Sequence, residues 1–564
     1  MMIFKSRQIT ALALSAIATI TTTGITEIIH HQEAIARNIS FIYSPLSLTL
    51  RVESLQLFAE TGTVNRNLQT YLNLAGVNEE QKQQFREALT TPVEVDPILI
   101  SRILNTDEAE RLLNYFGSVI NIKGGSNGKY LLRGALITSA LQPEGLKLIN
   151  ILNNLAVDVE IDIRRILRYT QQIETVLQAS AIFEQEVINQ AEIQTISSID
   201  INYENLPDIR QPGNIPFNHE TINLFDQSRN RTYYAELYYP TTIVENTPVV
   251  VISHGLSSRP EDFGARAQHL ASYGYLVIAP QHPGSDILQT QNFIEGFTRE
   301  LFIRNEFINR PLDITHTLDE LERMNQSRWQ GNLDLENVGI FGHSFGGYTA
   351  LAVGGATFDW ERLAERCSLD IGNLNTALIL QCRALQLPQE DYQFRDERIK
   401  AIFAMNPVNG AIFGPDGLNN LETPLFIAAG SYDPATPFVF ELAQTHPLLD
   451  IPDVYLQLQE GQAHVDFSQL DAGISDLLNT VTNLTLPSPV LLNEYTHSMM
   501  LAFFEVHTRD NQNYAPYLEA GYAEYLSQGQ EFKTYLVREE SIPALREVYQ
   551  RFVDQNADII FSNQ

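Results

Sequence analysis

The sequence is poor in cysteine, in tryptophan and in basic residues. It has two cysteines and two tryptophans in 564 residues, and 37 lysines and arginines against 68 aspartates and glutamates. The resulting net charge of −31 argues against nucleic acid or an anionic membrane surface as an electrostatic partner. No internal apolar run reaches the roughly 18 residues of a membrane helix, so no internal span is predicted. We interpret the excess of acid as a solvated surface.

The scarcity of cysteine limits covalent cross-linking to one disulfide. Cys367 and Cys382 are 15 positions apart (382 − 367). In an exported protein they could pair and staple one surface loop, and two buried thiols are the alternative. Residues 37–180 contain neither a Cys/His metal spacing nor a glycine-rich phosphate loop. No metal or organic cofactor is predicted.

The first 36 residues differ from the rest of the chain. Lys5 and Arg7 precede a short apolar stretch, residues 9–20, and Ala34-Ile35-Ala36 resembles a cleavage site. We predict a signal peptide or N-terminal anchor over residues 1–36, and therefore an exported protein, periplasmic or secreted. A buried helix is the alternative interpretation, and contact with a membrane surface is left open.

The rest of the chain is too long for one hydrophobic core and is divided by its pattern. Residues 37–180 are predicted to form a mostly helical accessory domain, with Asn78 and Asp96 as helix caps and a hairpin around Ser44-Pro45. Residues 181–217 are polar and contain three prolines, so they are predicted to be a linker. Residues 218–564 are predicted to form the second domain.

Short apolar segments alternate with helical ones after residue 218. The segments "TPVVVISHG", "YGYLVIAPQHPG", "ENVGIFGHS", "RIKAIFAMNP", "TPLFIAAGSYD" and "DVYLQLQEGQAH" have the length and the two apolar faces of buried strands. Strands separated by helices predict a mostly parallel sheet with helices on both faces, which is the α/β class. Ligands of such sheets lie at the carboxyl ends of the strands.

One serine stands at such a strand end between glycines. Ser344 lies in "GIFGHSFGGYTAL", after a predicted strand and before a helix rich in small residues. A turn this sharp forces the serine into a strained conformation and exposes its hydroxyl, as a nucleophile requires. The alternative is a glycine-rich packing turn with an incidental serine.

A serine nucleophile needs a base and an acid, and both follow in the expected order. Asp433 comes after one predicted strand and His464 after the next. His464 would take the proton of Ser344, and Asp433 would hold the other ring nitrogen. The rate should therefore fall when His464 becomes protonated.

Four other residues compete for these roles. His446 precedes a predicted strand, His497 lies in a helical segment, and His343 is expected to point away from the site despite its position beside the nucleophile. Asp466 follows His464 and is on the wrong side of it for the acid. We predict structural or surface roles for all four.

Amide donors for an oxyanion are expected at two turns. His254-Gly255-Leu256 ends a predicted buried strand, where a His-Gly turn can aim a backbone N–H into the site. The second donor would be the N–H of Phe345, the residue after the nucleophile. An ordinary strand-ending turn is the alternative for the first position.

Residues 218 to about 510 resemble the α/β-hydrolases of the dienelactone hydrolase and platelet-activating-factor acetylhydrolase group. The resemblance is carried by "SHGLSS", "LASYGYLVIAPQHPGS", "RPLDITHTLDEL", "GIFGHSFGGYTAL" and "GQAHVDF". It implies oxyanion donors at Leu256 and Phe345. The acetylhydrolases place their acid after the strand that follows the nucleophile helix, where this chain has Asn406. Asp433 matches the dienelactone hydrolase position, whereas Ser344 replaces the cysteine nucleophile of those enzymes.

The N-terminal segment resembles that of bacterial two-part hydrolases, most clearly in "FIYSPLSLTLRVESLQLFAETG". That segment has no known function, so it supports only a two-domain architecture. Insertions near 286–308 and 357–393 are predicted to form a cap whose apolar residues line an acyl or lipid pocket or pack on each other. The sequence thus predicts a serine ester hydrolase acting on a lipid-like or short-acyl ester. A peptidase of the same fold and a catalytically silent binding protein are the alternatives.

Overall fold

The computed structural model describes residues 38–43, 45–198, 200–369, 371–464 and 486–561. The chain divides into two units, of which the first ends at Glu174 and the second begins at Thr175. The predicted export signal and Asp466 lie outside the described residues, and both stay predictions. Within the described ranges, no helix combines the length and the apolar character needed to cross a membrane.

The first unit is mostly helical and carries a small sheet. Its helices are α1 (Val52–Thr61), α2 (Arg66–Leu74), α3 (Glu79–Thr90), α4 (Pro97–Ile103), α5 (Asp107–Val119), α6 (Lys129–Ala140) and α7 (Leu148–Asn153). Its strands are β1 (Asn38–Tyr43), β2 (Leu46–Arg51), β3 (Ile120–Ile122), β4 (Ser126–Asn127) and β5 (Val159–Asp162). Among the described residues these five strands form one sheet in the order β2-β1-β5-β3-β4. The predicted hairpin is confirmed, because β1 and β2 pair antiparallel.

Both predicted helix caps of this unit are confirmed. The Asn78 side chain accepts from the Gln81 amide, and the Gln81 side chain accepts from the Asn78 amide, which closes a capping box at the start of α3. Asp96 accepts from the amides of Ile98 and Leu99 at the start of α4. These contacts satisfy amides that a helix leaves without intrahelical partners.

The predicted linker boundary at residue 181 is wrong. Helix α8 runs without interruption from Ile163 to Ser197, and its residues from Thr175 onward belong to the second unit. Phe183, Val187 and Ala191 recur at a spacing of four and are buried in the core of the second unit. The polar composition of this segment hides the helix, because only a narrow apolar stripe marks it in the sequence. The irregular connection is confined to the residues between α8 and the first strand of the second unit.

Glu184 on α8 makes stability depend on pH. Burial raises the pKa of its carboxyl to about 7, although the Ser180 hydroxyl donates to it at 2.6 Å. Because the folded pKa lies above the unfolded one, the protonated carboxyl adds folding stability at low pH, and this stability is lost as pH rises through 7. We expect the free energy of unfolding of Glu184→Gln, relative to that of wild type, to rise by about 3 kcal/mol from pH 4 to pH 8. Chemical denaturation at both pH values measures this difference. Glu192→Gln, at an exposed position of the same helix, is the control; equal pH profiles for both variants would contradict the prediction.

The second unit is built on a large sheet. Its strands are β6 (Phe217–Asp226), β7 (Arg231–Pro240), β8 (Thr247–Ser253), β9 (Leu276–Pro280), β10 (Leu333–His343), β11 (Ile399–Met405), β12 (Leu425–Gly430), β13 (Val454–Gln459) and β14 (Thr534–Arg538). In the described part of the chain they form nine strands in the order β14-β13-β12-β11-β10-β8-β9-β7-β6. The run from β13 to β9 is parallel, while β14, β7 and β6 pair antiparallel at the edges.

Helices cover both faces of this sheet. They are α9 (Gly264–Ser272), α10 (Ile287–Glu295), α11 (Glu306–Arg328), α12 (Phe345–Gly354), α13 (Trp360–Ser368), α14 (Ala377–Gln381), α15 (Gly414–Leu418), α16 (Phe438–Glu441), α17 (Pro489–Arg509), α18 (Ala520–Leu526) and α19 (Ile542–Ile560). Alternate residues of β8 enter separate cores: Val249 and Val251 pack with α11 and α12, and Val250 and Ile252 pack with α9 and α17. The predicted α/β fold is confirmed.

The two cysteines form a disulfide within the second insertion. Cys367 lies in the last turn of α13 and Cys382 directly follows α14. Their Cα atoms are 5.9 Å apart. The structure therefore selects pairing over two buried thiols. Closing a loop of 15 residues lowers the entropy of the unfolded chain and so stabilises the folded protein by about 3 kcal/mol. We expect the free energy of unfolding of the Cys367→Ser/Cys382→Ser double variant, measured with a denaturant, to be lower than that of wild type by about 3 kcal/mol. A reducing agent should destabilise wild type alone, and an equal effect on the double variant would contradict the assignment.

Candidate active site

The turn between β10 and α12 holds Ser344 in a strained conformation. Ser344 has φ +59° and ψ −118°, a region that residues other than glycine rarely adopt. Its amide donates to the Met405 carbonyl at 3.0 Å, and its carbonyl accepts from the amides of Tyr348 and Val408. These bonds hold the strained residue from the neighbouring strand and from its own helix. The side chain therefore stands at the carboxyl end of the sheet.

Two glycines make the turn sterically feasible. A Cβ atom on Gly342 would lie 2.0 Å from the Gly346 carbonyl oxygen, and one on Gly346 would lie 2.0 Å from the Ser253 carbonyl oxygen. No side chain fits at either position, because real Cβ contacts are much longer. The glycines allow β10, α12 and β8 to approach closely around Ser344.

The structure brings Ser344, His464 and Asp433 together. His464 Nε2 lies 2.7 Å from Ser344 Oγ, and His464 Nδ1 lies 2.7 Å from Asp433 Oδ2. Asp433 follows β12 and His464 follows β13, so adjacent parallel strands deliver both side chains to the same edge. The Asp433 side chain is 1% exposed and the His464 side chain 14% exposed. The histidine thus faces the surface while the acid lies behind it.

Asp433 is fixed by a turn of its own. Its Oδ1 accepts from the amides of Ala435 and Thr436 at 2.8 and 2.9 Å. The Thr436 hydroxyl donates to Oδ2 at 2.8 Å and lies 3.2 Å from His464 Nδ1. Burial opposes ionisation, but the hydrogen bonds from His464 and Thr436 outweigh it and hold the pKa of Asp433 below its ordinary value. The carboxylate is therefore ionised and oriented at neutral pH.

The prediction that His343 points away from the site is wrong. Its Nε2–H donates to the His464 backbone carbonyl at 3.0 Å, and the two rings lie 4.8 Å apart between centroids. Burial, together with the neighbouring His464, lowers the pKa of His343 to about 3. A neutral His343 thus supports the backbone of His464 without adding a second positive charge.

The turn after β8 lies against Ser344. A Cβ atom on Gly255 would be 3.3 Å from Ser344 Cβ and 3.3 Å from His343 Nδ1. The amide of Leu256, which follows, donates to no acceptor among the described residues. Neither does the amide of Phe345, because it opens α12 and has no intrahelical partner. Two free amides therefore flank Ser344 from two turns.

The other sequence candidates lie elsewhere. His446 is fully buried ahead of β13, and His497 on α17 stacks on His269 at 4.6 Å. Asn406 is buried and accepts from the Gly430 amide through its side-chain oxygen. In the described structure, none of these three forms a hydrogen bond with Ser344 or His464.

A second Ser-His-Asp arrangement lies in the interior. Ser253 Oγ is 2.9 Å from His282 Nε2, and His282 Nδ1 is 3.0 Å from Asp313 Oδ2. All three side chains are fully buried, and burial holds the pKa of His282 well below its ordinary value. A substrate cannot reach this serine, so hydrogen-bond geometry alone does not make a nucleophile.

Sequence reasoning missed Thr436 as a neighbour of the site and predicted the wrong orientation for the His343 side chain. Only Thr436 had a local signal, because an aspartate followed three residues later by threonine is typical of a turn closed by its own side chain. His343 makes its contact with the His464 carbonyl across 121 positions, and no local pattern marks it.

The second insertion lines an apolar cavity in the second unit. The cavity has a volume of about 80 Å³ and is shared by α8, the 357–393 insertion, α16 and α19. Its apolar lining includes Phe183, Leu369, Leu378, Phe440, Val548 and Phe552. Other apolar residues of this insertion, Leu363 and Leu387 among them, pack in the core of the second unit. That the insertion lines an acyl or lipid pocket stays a prediction.

Comparisons with known proteins match both parts of the chain. Residues 36–162 match a family described as alpha/beta hydrolase of unknown function (DUF1400), and residues 207–364 match the chlorophyllase family. A platelet-activating factor acetylhydrolase from Cavia porcellus is 27% identical over 142 residues, which cover 20% of this chain and 33% of that protein. The match therefore spans about a third of the relative's length.

Together with the sheet and the turn at Ser344, these similarities show that the chain has the α/β-hydrolase fold.

Proposed function

We propose that the protein is a serine carboxylic-ester hydrolase in which Ser344, His464 and Asp433 form the catalytic triad. The observation that carries the proposal is the continuous hydrogen-bonded chain of these three side chains, with both distances at 2.7 Å. The strained turn, which holds Ser344 at the carboxyl end of the sheet with 7% of the residue exposed, supports it, as do the two free amides of Leu256 and Phe345.

The proposed reaction follows from the hydrogen bonds. His464 donates Nδ1–H to Asp433, so its Nε2 is free to take the proton of Ser344 as Oγ attacks the ester carbonyl carbon. The amides of Leu256 and Phe345 stabilise the negative oxygen of the tetrahedral intermediate. The intermediate expels the alcohol, which takes the proton from His464, and an acyl-Ser344 ester remains. Water then repeats the sequence and releases the acid.

We propose that the substrate is an ester with an apolar acyl or alcohol part. This substrate class rests on the similarity to the acetylhydrolase and not on the apolar cavity, because Ser344, His464, Leu256 and Phe345 are not among the residues that line that cavity. The name of the Cavia porcellus relative, an acetylhydrolase, is consistent with a short acyl group.

Burst kinetics test the proposal. Stopped-flow mixing of the full chain with p-nitrophenyl butyrate should release about one p-nitrophenol per enzyme before the steady state, since an acyl-enzyme accumulates when deacylation is slower. A fluorophosphonate should modify one residue, and peptide mass spectrometry should locate it at Ser344. A folded protein with neither turnover nor labelling would overturn the proposal. Labelling of any residue other than Ser344 would overturn the assignment of the nucleophile.

A further inference from the structure

Arg310 on α11 is a buried cation that holds the turn containing Leu256. The side chain is fully buried. Its Nη1–H donates to the His254 carbonyl at 2.7 Å and its Nη2–H to the Gly255 carbonyl at 3.2 Å. Its Nε–H donates to Ser285 Oγ at 2.8 Å. The guanidinium therefore spans the two carbonyls that immediately precede Leu256.

These hydrogen bonds from Arg310 determine where the Leu256 amide points. The Gly255 carbonyl and the Leu256 N–H belong to one planar trans peptide, so they point in opposite directions. The carbonyl is held from two sides, because His254 Nδ1–H also donates to it at 2.8 Å. Since Gly255 lies against Ser344, a carbonyl fixed toward Arg310 leaves the Leu256 N–H pointing away from Arg310.

The same side chain contacts the residue that supplies the other free amide. The guanidinium carbon lies 4.4 Å from the centroid of the Phe345 ring, in a cation–π contact. Phe345 is fully buried and opens α12. One cation thus contacts both elements whose amides flank Ser344, although these elements are far apart in sequence.

The charge of Arg310 is not taken up by an ion pair within the described structure. The nearby carboxylates Glu306 and Asp313 are bound by Arg231 at 2.8 and 2.9 Å. Burial lowers the pKa of Arg310 to about 9, so the group remains protonated at neutral pH. Its positive charge is directed at backbone carbonyls, and polarising a carbonyl strengthens the N–H of the same peptide as a donor.

We propose that Arg310 is a positioning residue for the oxyanion site, which fixes the Gly255-Leu256 peptide and the Phe345 ring and polarises the Leu256 amide. The inference rests on the proposed function, because it assigns these amides to an ester-hydrolysis intermediate. Arg310 itself does not contact the substrate and acts through the turn and the ring.

Arg310→Lys tests the proposal in the full chain, because lysine keeps the charge but lacks the planar fork. We expect kcat for p-nitrophenyl butyrate to fall about 10- to 100-fold, less than the loss of a whole oxyanion donor, with KM changed by less than about threefold. The affinity of a trifluoromethyl ketone, which forms a tetrahedral adduct with the nucleophile, should fall in parallel. Arg398→Lys is the matched control: Arg398 binds Asp396 and the Thr315 carbonyl beside the start of β11, at the opposite edge of the sheet. This control should keep kcat.

Ser285→Ala is a milder variant for the case that Arg310→Lys does not fold. It removes one of the three hydrogen bonds of the guanidinium and should lower kcat and ketone affinity together by about 3- to 10-fold. Wild-type kcat in either folded variant, or a loss confined to melting temperature or KM, would overturn the positioning role. An active wild type with unaffected variants overturns this inference alone, whereas an inert wild type overturns the proposed function and this inference with it.

Discussion

Ser344→Ala is expected to lower kcat for p-nitrophenyl butyrate by about 10⁶-fold, the loss seen when a serine hydrolase loses its nucleophile. The variant removes Oγ, so His464 Nε2 has no proton to accept and no acyl-enzyme can form. Stability should change little, because the Ser344 side chain makes no capping hydrogen bond to α12. The measurement is the steady-state rate of purified, folded variant beside wild type, together with the loss of the burst.

The buried serine of the interior supplies a matched control for this prediction. Ser253 bonds to His282 at 2.9 Å in the same way as Ser344 bonds to His464 at 2.7 Å, but it is fully buried. Ser253→Ala should therefore lose at most about tenfold in kcat, through the single hydrogen bond that it removes, and should still react with a fluorophosphonate. If Ser253→Ala abolished the labelling while Ser344→Ala kept it, the assignment of the nucleophile would be wrong.

The parts of the fold that follow local rules could be predicted from the sequence. Buried strands show two apolar faces, and the glycines around Ser344 report a turn that only glycine allows, so strand positions and the nucleophile turn emerged together. Asp433 and His464 could be named because residues that follow parallel strands meet at one edge. Helix caps such as Asn78 are equally local, since the cap and its partner are three residues apart.

The features that sequence reasoning missed depend on contacts between distant residues. Arg310 meets the His254 carbonyl across 56 positions, and His343 meets the His464 carbonyl across 121. The position of Arg310, inside a helix and ahead of a proline, is that of an ordinary solvent-facing arginine. The sequence predicts a linker where the second half of α8 lies, because the narrow apolar stripe of this helix finds its partner only in the core of the second unit. Tertiary packing, which no local pattern encodes, decides these cases.

Asp433→Asn is expected to lower kcat by about 10⁴-fold, although it changes only one atom and its hydrogens. Oδ1 accepts two backbone N–H groups, from Ala435 and Thr436, so the oxygen of an asparagine must occupy that place. The amide nitrogen then takes the place of Oδ2 and presents N–H to His464 Nδ1. His464 can accept this hydrogen bond only as the tautomer protonated on Nε2, which cannot take the proton of Ser344.

Thr436→Val distinguishes the effect of the His464 tautomer on kcat from the effect of the orientation of the Asp433 carboxylate. It removes the hydroxyl that donates to Oδ2 at 2.8 Å but keeps the carboxylate and both backbone bonds. We expect kcat to fall about tenfold or less, the effect of one hydrogen bond on a charged group. Steady-state kinetics and the low-field proton resonance of His464 Nδ1–H distinguish the two variants, because the resonance should vanish only in Asp433→Asn. If Asp433→Asn kept more than about a tenth of wild-type kcat, another group would have to hold the proton on Nδ1, and Asp433 would not be the acid of the triad.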